Sequence, residues 1–207
     1  MLKRGEAVLR PTDNRQSGTF EPAAYVEPRP FLIVDGELGF FTQGLRNNLD
    51  LRVFYGSDEP VEEWQGAMAA DAATYVESQR KWADLVVERL SPEDVNGAKD
   101  AALTLRPTLP HLVLQELIQA AGAGEQHGMR LELARDMGLP VDRVVIDAAI
   151  SSKDAAHFEK RLLAEMPDEY RHDASVLGVV NEAQNRSESL VLTQLLVALH
   201  LLKVANG

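Results

Sequence analysis

Two short units in this sequence carry the residue types of a metal or acid–base site. Asp154-Ala155-Ala156-His157 is an Asp-x-x-His unit, and Glu169-Tyr170-Arg171-His172 is a Glu-x-x-His unit. On a helix, residues three apart project from one face, so each pair could chelate a metal ion. A two-metal helical site needs a further carboxylate from each of two other helices. Glu77, Glu88 and Glu116 are the candidates. Without a metal, His157, His172, Asp154 and Glu169 could instead exchange protons with a substrate, helped by Glu116 or His111 from an adjacent helix. Against both uses stands the composition, since chance alone supplies acid-x-x-His units among 32 acids and five histidines. Glu169 also follows Pro167, which separates the two units. No metal and no cofactor is therefore expected.

Leu131 to Val145 reads LELARDMGLPVDRVV. Ala134 stands four positions before Gly138, with Leu133, Met137 and Leu139 as core positions. This resembles the spacing of a helix–turn–helix, whose second helix enters the major groove. Arg130, Arg135 and Arg143 would then meet phosphates. Asp142 and Asp147 oppose Arg143 on the same expected helix and would repel them, so nucleic acid is not the expected partner. Nucleophilic chemistry has no marker. There is no cysteine and no Gly-x-Ser-x-Gly elbow, and Ser151, Ser152, Ser175, Ser187 and Ser189 sit where capping or turns account for them. No Gly-x-x-x-x-Gly-Lys-Ser/Thr or Gly-x-Gly-x-x-Gly loop occurs, so no nucleotide site is indicated.

The chain that must position these residues has 207 of them, enough for one domain or two small ones. The absence of cysteine excludes disulfides, thiolate catalysis and Cys-ligated metals. The net charge of -11 argues against broad phosphate binding. Residues 1–30 lack the apolar core of a signal peptide. The longest apolar run, Leu190–Leu202, is broken by Thr193, Gln194 and His200 and falls short of the roughly 20 residues a membrane span needs. A cytoplasmic protein, or one built into a particle, with no membrane contact, is expected.

Residues 1–30 read as an extended arm, because Pro11, Pro22, Pro28 and Pro30 forbid a helix. Phe20 and Tyr25 are its apolar anchors. Residues 31–207 read as a single globular domain. Phe31–Val34, Glu37–Thr42 and Leu49–Tyr55 predict a three-strand antiparallel meander over 31–56, with Asp35-Gly36 as its first turn. From 58 to 207 the spacing predicts a helical bundle. Trp64, Met68, Ala72, Tyr75, Gln79, Trp82, Val86 and Leu90 share one helical face, giving a helix over Pro60–Leu90. Its acids outnumber its bases, and Glu59, Glu62 and Glu63 suit the positive end of the helix. Ser91-Pro92 starts a helix to Leu105, and Pro110–Ala121 forms another before Gly122-Ala123-Gly124. Two short helices flank Gly138-Leu139-Pro140. Ser151 or Ser152 caps a helix over Lys153–Glu165, which Pro167 ends.

Ala174–Ala205 reads as one long helix, or as two if Asn185 and Glu188 form a capping box. Its last part is apolar nearly all round and must be buried on all sides. Leu192, Leu195, Leu196, Leu199 and Leu202 are the residues that would complete a subunit interface if its own chain does not sheath it, and His200 and Lys203 suit its C-terminal end. The fold expected is α+β, predominantly α: a small meander packed on a helical bundle, preceded by an arm. The function expected from the arm, the over-apolar helix and the lack of a site above chance is a non-enzymatic, oligomeric assembly or interaction subunit, with other copies of itself or other proteins as partners. A helical enzyme with a His/carboxylate site is the alternative, and a helix–turn–helix regulator the second. No known family is resembled.

Overall fold

The structure is a computed structural model that describes residues 2–14, 18–57, 72–90, 100–109, 114, 128–171, 176–179 and 186–206. It divides into two compact units, Met1–Gly39 and Phe40–Gly207.

In the first unit the prolines exclude helix but permit a ribbon. β1 (Val8–Asn14) and β2 (Thr19–Val26) pair antiparallel, with Leu9 opposite Tyr25. The register shifts between Arg10 and Thr12, beside Pro11, which has no N–H to give the ladder. Leu9, Phe20 and Tyr25 stand exposed, Phe20 by 81%. Residues 31–39 form no strand; Gly36 and Gly39 close a turn through a 3.1 Å backbone hydrogen bond.

The second unit is organised by a five-stranded mixed sheet. Its strands are β3 (Val53–Ser57), β4 (Leu85–Arg89), β5 (Ala101–Leu105), β6 (Met129–Asp136) and β7 (Leu139–Ile146). They lie in the order β3-β4-β5-β7-β6, with β3 parallel to β4 and every other pair antiparallel. Strand residues alternate between faces, so the register sorts the side chains. One face carries Leu85 and Val87 on β4, Leu103 and Leu105 on β5, Val144 and Ile146 on β7 and Met129 on β6, all buried. The other carries Phe54, Val86, Thr104, Arg143 and Glu132 in one cross-strand row. Gly56, Glu88, Ala102, Val145 and Arg130 form the next.

Three α-helices are described. α1 (Gln43–Arg46) is a single turn capped by the Thr42 hydroxyl, which accepts from the Leu45 N–H. α2 (Ser152–Glu165) starts at Ser151, as the sequence predicts, and α3 (Glu188–Asn206) is the apolar helix. α2 and α3 pack on each other, and α3 packs on β5 and β7. Val191, Leu192, Leu195, Leu196, Leu199 and Leu202 on α3 are buried, as are Phe158 and Leu162 on α2. The sheet face that carries Leu103, Leu105, Val144 and Ile146 accepts such a surface without stranding polar groups. α3 is long and apolar enough to cross a membrane by length and composition, yet half of it is buried inside the protein, which is compatible with a soluble chain.

The helical-bundle expectation is corrected by this sheet: the fold is α/β, not predominantly helical. The helix expected over Pro60–Leu90 gives way to a π turn (Ala72–Val76), a 3-10 helix (Glu77–Trp82) and then β4. The helix expected to reach Leu105 ends as β5. Of the meander over 31–56, only the last run becomes a strand, and it pairs in parallel. The helix–turn–helix is instead the β6–β7 hairpin. Its turn, Met137-Gly138, has φ of 51° and 83°, the pair of positive values that a two-residue turn matching strand twist requires. The acidic stretch Asp58–Asp71, the helix of Pro110–Ala121 apart from the buried, helical Leu114, and Asn185 of the capping box lie outside the described residues.

Candidate functional site

The polar face of the sheet concentrates charge. Asp84, just before β4, is 1% exposed and accepts two hydrogen bonds from Arg52, Nε at 2.8 Å and Nη2 at 2.6 Å. The Arg52 N–H and the Thr108 hydroxyl also donate to it, at 2.9 and 2.8 Å. Its lone pairs are thus filled, as a buried carboxylate requires. The hydrogen bond to Asp84 holds the Arg52 pKa above its ordinary value; burial pulls the other way, and the Asp84 charge adds to the rise.

Beside it, Arg106 is 3% exposed in its side chain. It donates from Nη1 to the Ala83 carbonyl at 3.1 Å and pairs through Nε and Nη2 with Asp136. Arg80, from the 3-10 helix, reaches the same face. Its Nη1 lies 2.6 Å from Glu88 Oε1 and its Nη2 3.7 Å from Asp136. Burial alone would lower the Arg80 pKa, but the hydrogen bond and charge of Glu88, then Asp136 and Glu77, raise it.

Arg143 differs from these three. Its closest carboxylate contact is Nη2 to Glu88 Oε2 at 3.9 Å, too long for a hydrogen bond. Its Nε is buried and has no hydrogen-bond partner among the described residues. Glu132, directly across the strand pair, accepts from Arg130 at 2.9 Å instead, and Arg130 also bonds Asp147 at 2.8 Å. With Arg130, Glu132 and Asp147 on the same face, five guanidiniums (Arg52, Arg80, Arg106, Arg130, Arg143) meet five carboxylates (Asp84, Glu88, Glu132, Asp136, Asp147), so the face is balanced in charge and Arg143 is the guanidinium whose fork stays unfilled among the described residues.

The residues singled out from sequence fall elsewhere. Asp154 belongs to the start of α2, where it accepts from the Ser151 hydroxyl at 2.6 Å and its N–H donates back at 3.1 Å. That is a capping role. His157 is exposed on α2, its ring 6.3 Å from that of Phe158. Glu169 lies in a 3-10 turn, Asp168–Tyr170, beside the Tyr170 phenol. Desolvation, then the Glu169 charge and hydrogen bond, raise the Tyr170 pKa. His172, His111 and Glu116 lie outside the described residues. Among the described residues no three His, Asp or Glu side chains gather as a metal-binding group. Leu192, Leu195, Leu196, Leu199 and Leu202 are buried within their own unit, and Phe20 and Tyr25 are exposed on the ribbon.

Glu88, read from sequence as a spare metal carboxylate, and Arg143, read as a phosphate-contacting residue of a DNA reader, come within 3.9 Å of each other, and Arg130 and Asp147, named with the same DNA reading, pair at 2.8 Å. Arg52, Asp84 and Arg106 were missed. Their signal was strand alternation, with charge at Asp84 and Glu88 around Val86, hidden under a helical spacing that also fits.

No family model matches the chain. The chain is similar to a phosphoribulokinase. That enzyme, from Synechocystis sp., is 22% identical over 125 residues, 51% of this chain and 38% of the enzyme. The chain therefore spans about two fifths of the length of the curated relative it matches. Similarity to phosphoribulokinase corrects the expectation of a structural or assembly subunit: it points to an enzyme.

Proposed function

We propose that the Phe40–Gly207 unit is part of an enzyme that handles a phosphorylated sugar, with chemistry of the phosphoribulokinase kind. The similarity to that enzyme over 125 residues carries the reading. The charged sheet face supports it, because phosphoryl transfer depends on positioning and on offsetting negative charge rather than on a covalent role for the protein. The sequence has no Gly-x-x-x-x-Gly-Lys-Ser/Thr loop. The proposal therefore concerns the sugar-phosphate side of the chemistry and assigns no nucleotide to these residues. Guanidiniums suit that task, since their planar forks match phosphate oxygens two at a time.

The test is equilibrium titration of the purified chain with ribulose 5-phosphate and, in parallel, with unphosphorylated ribulose. Saturable binding of the phosphate ester and none of the free sugar is expected. Equal, weak response to both would reject the reading. A coupled assay with ATP and magnesium then asks whether the chain also transfers a phosphoryl group.

A further inference from the structure

We propose that Arg143 and Arg80, on either side of Glu88, form the point at which a hydroxylated phosphate ester is held. For its ligand class the inference rests on the sugar-phosphate reading; for its location it rests on geometry.

The location follows from the state of each guanidinium. Arg52 spends its fork on the carboxylate of Asp84, and Arg106 on Asp136 and the Ala83 carbonyl. Both are committed. Arg80 is held at one end by Glu88 and reaches Asp136 only at 3.7 Å. The Arg143 side chain makes no hydrogen bond among the described residues, although its Nε is buried. A buried charged donor without an acceptor is costly and rarely tolerated. An anion seated against the exposed part of the guanidinium would give that fork the acceptor it lacks, and guanidiniums take phosphate oxygens two at a time.

The place is also open to a ligand. The side chains of Arg143, Arg80 and Glu88 are 32%, 23% and 21% exposed, whereas Asp84 and Arg106 are sealed. Glu88 gives the site its second chemistry. Its Oε2 is not within hydrogen-bond distance of Arg143, and it can accept from a hydroxyl. Donors for an anion next to an acceptor for a hydroxyl describe a sugar phosphate better than a bare anion or a carboxylic acid. Charge on this face balances, so what favours an anion at this point is the unfilled donor fork of Arg143 and not a surplus of positive charge.

The experiment measures affinity for inorganic phosphate and for ribulose 5-phosphate by calorimetry at low salt on the full chain. The chains compared are wild type, Arg143→Gln, Arg143→Lys, Glu88→Gln and Arg130→Gln. Arg143→Gln should weaken both ligands by about 10- to 100-fold, the loss of a charged hydrogen-bonding pair. Arg143→Lys, which keeps charge but not the fork, should recover only part of that loss. Glu88→Gln should weaken the sugar phosphate while leaving inorganic phosphate bound at least as tightly. Arg130→Gln, on the same face but paired with Glu132 and Asp147, should change neither.

The proposal is overturned if Arg143→Gln keeps its circular-dichroism spectrum and melting temperature and binds both ligands as wild type does. Retained binding of the sugar phosphate in that variant would leave the broader reading standing and the location wrong. Conversely, inorganic phosphate bound through Arg143 with no affinity for any sugar phosphate would uphold the location and remove the broader reading. A loss on Arg130→Gln equal to that on Arg143→Gln would mean diffuse attraction to the sheet face, which also overturns the site.

Discussion

On one face of the five-stranded sheet Leu85, Leu103 and Val144 lie buried with no polar side-chain atom among them. On the other, the same three strands present Glu88, Thr104 and Arg143. The two faces share a backbone, a register and a length. The first is held by apolar burial, which has no direction and needs only volume to match. The second is held by donors and acceptors that must each find a partner at the right distance and angle. A missing partner on the apolar face is a small cavity, whereas on the polar face it is an exposed need. That is why the single loosely held guanidinium, Arg143, says more about function than any residue beneath α3.

The sharpest way to break the comparison is to damage each face by a like amount of side chain. Leu103→Ala removes a side chain 1% exposed at the centre of the apolar face. It should cost about 2–5 kcal/mol, the usual range for a large-to-small change in a packed core. Urea denaturation gives the number. Ligand affinity in the folded fraction should not move, because nothing on the other face has changed.

Asp84→Ala is the counterpart on the polar face. It leaves Arg52 and Thr108 without their shared acceptor. Removing one partner of a fully buried ion pair costs about 3–5 kcal/mol. Arg52 is about a quarter exposed and can turn to water, so about 2–3 kcal/mol is expected here. The pH dependence has a definite sign. The Arg52 pKa is raised by the pair. Its contribution is therefore complete below the ordinary arginine pKa and fades only as pH climbs through the still higher folded value. The gap between wild type and variant should thus hold constant between about pH 7 and 9. A gap that closed across that interval would mean that the loss comes from some other group.

The turn that joins β6 to β7 gives a smaller effect. Gly138 has φ of 83° with open space where a Cβ would go. Gly138→Ala meets no neighbour, so its cost is backbone strain alone, about 1–2 kcal/mol. Gly128, also at positive φ, would bring a Cβ to 2.9 Å from Ile150, and alanine there should cost more than at Gly138.

What the sequence made legible divides along the same line. α2 was readable because its cap and its stop are local: Ser151 bonds Asp154, and Pro167 follows within two residues of the last helical turn. α3 was readable because an all-apolar helix has one fate. β4 was not, because Leu85-Val86-Val87 is buried on both faces, and a continuous apolar run carries neither period. With Trp82 before it and Leu90 after it, the spacing of three and four fits by accident. β6 and β7 did carry a signal in the alternation of Met129, Leu131 and Leu133 with Arg130 and Glu132, followed by Met-Gly. Ala134 and Gly138 fit the spacing of a helical corner equally well, and that coincidence competes with the period of two. The site was harder still. Arg52, Asp84, Arg106, Asp136 and Arg143 are scattered along the chain and share a face only through the pairing of the strands they lie on or beside, and Arg80 reaches that face from the 3-10 helix before β4.

Arg130 supplies the smallest test and the one that bounds the others. It lies on the polar face two residues along the register from Glu132, and its bonds to Glu132 and Asp147 look as good as those of Arg106. The hydrogen bond to Glu132 is the largest cause of its raised pKa, ahead of the opposing desolvation and the bond to Asp147. All three side chains are more than a third solvent-accessible or nearly so, at 34%, 41% and 34%. Water therefore screens what the geometry offers, and such exposed pairs are worth about 0–1 kcal/mol. Arg130→Ala should shift the urea midpoint by no more than that and should lose even this at high salt, whereas the Asp84→Ala deficit should persist in the same buffer. If the Arg130 effect instead matched that of Asp84, burial would not be what separates the working charges of this face from the decorative ones, and the weight placed on Arg143 would fall with it.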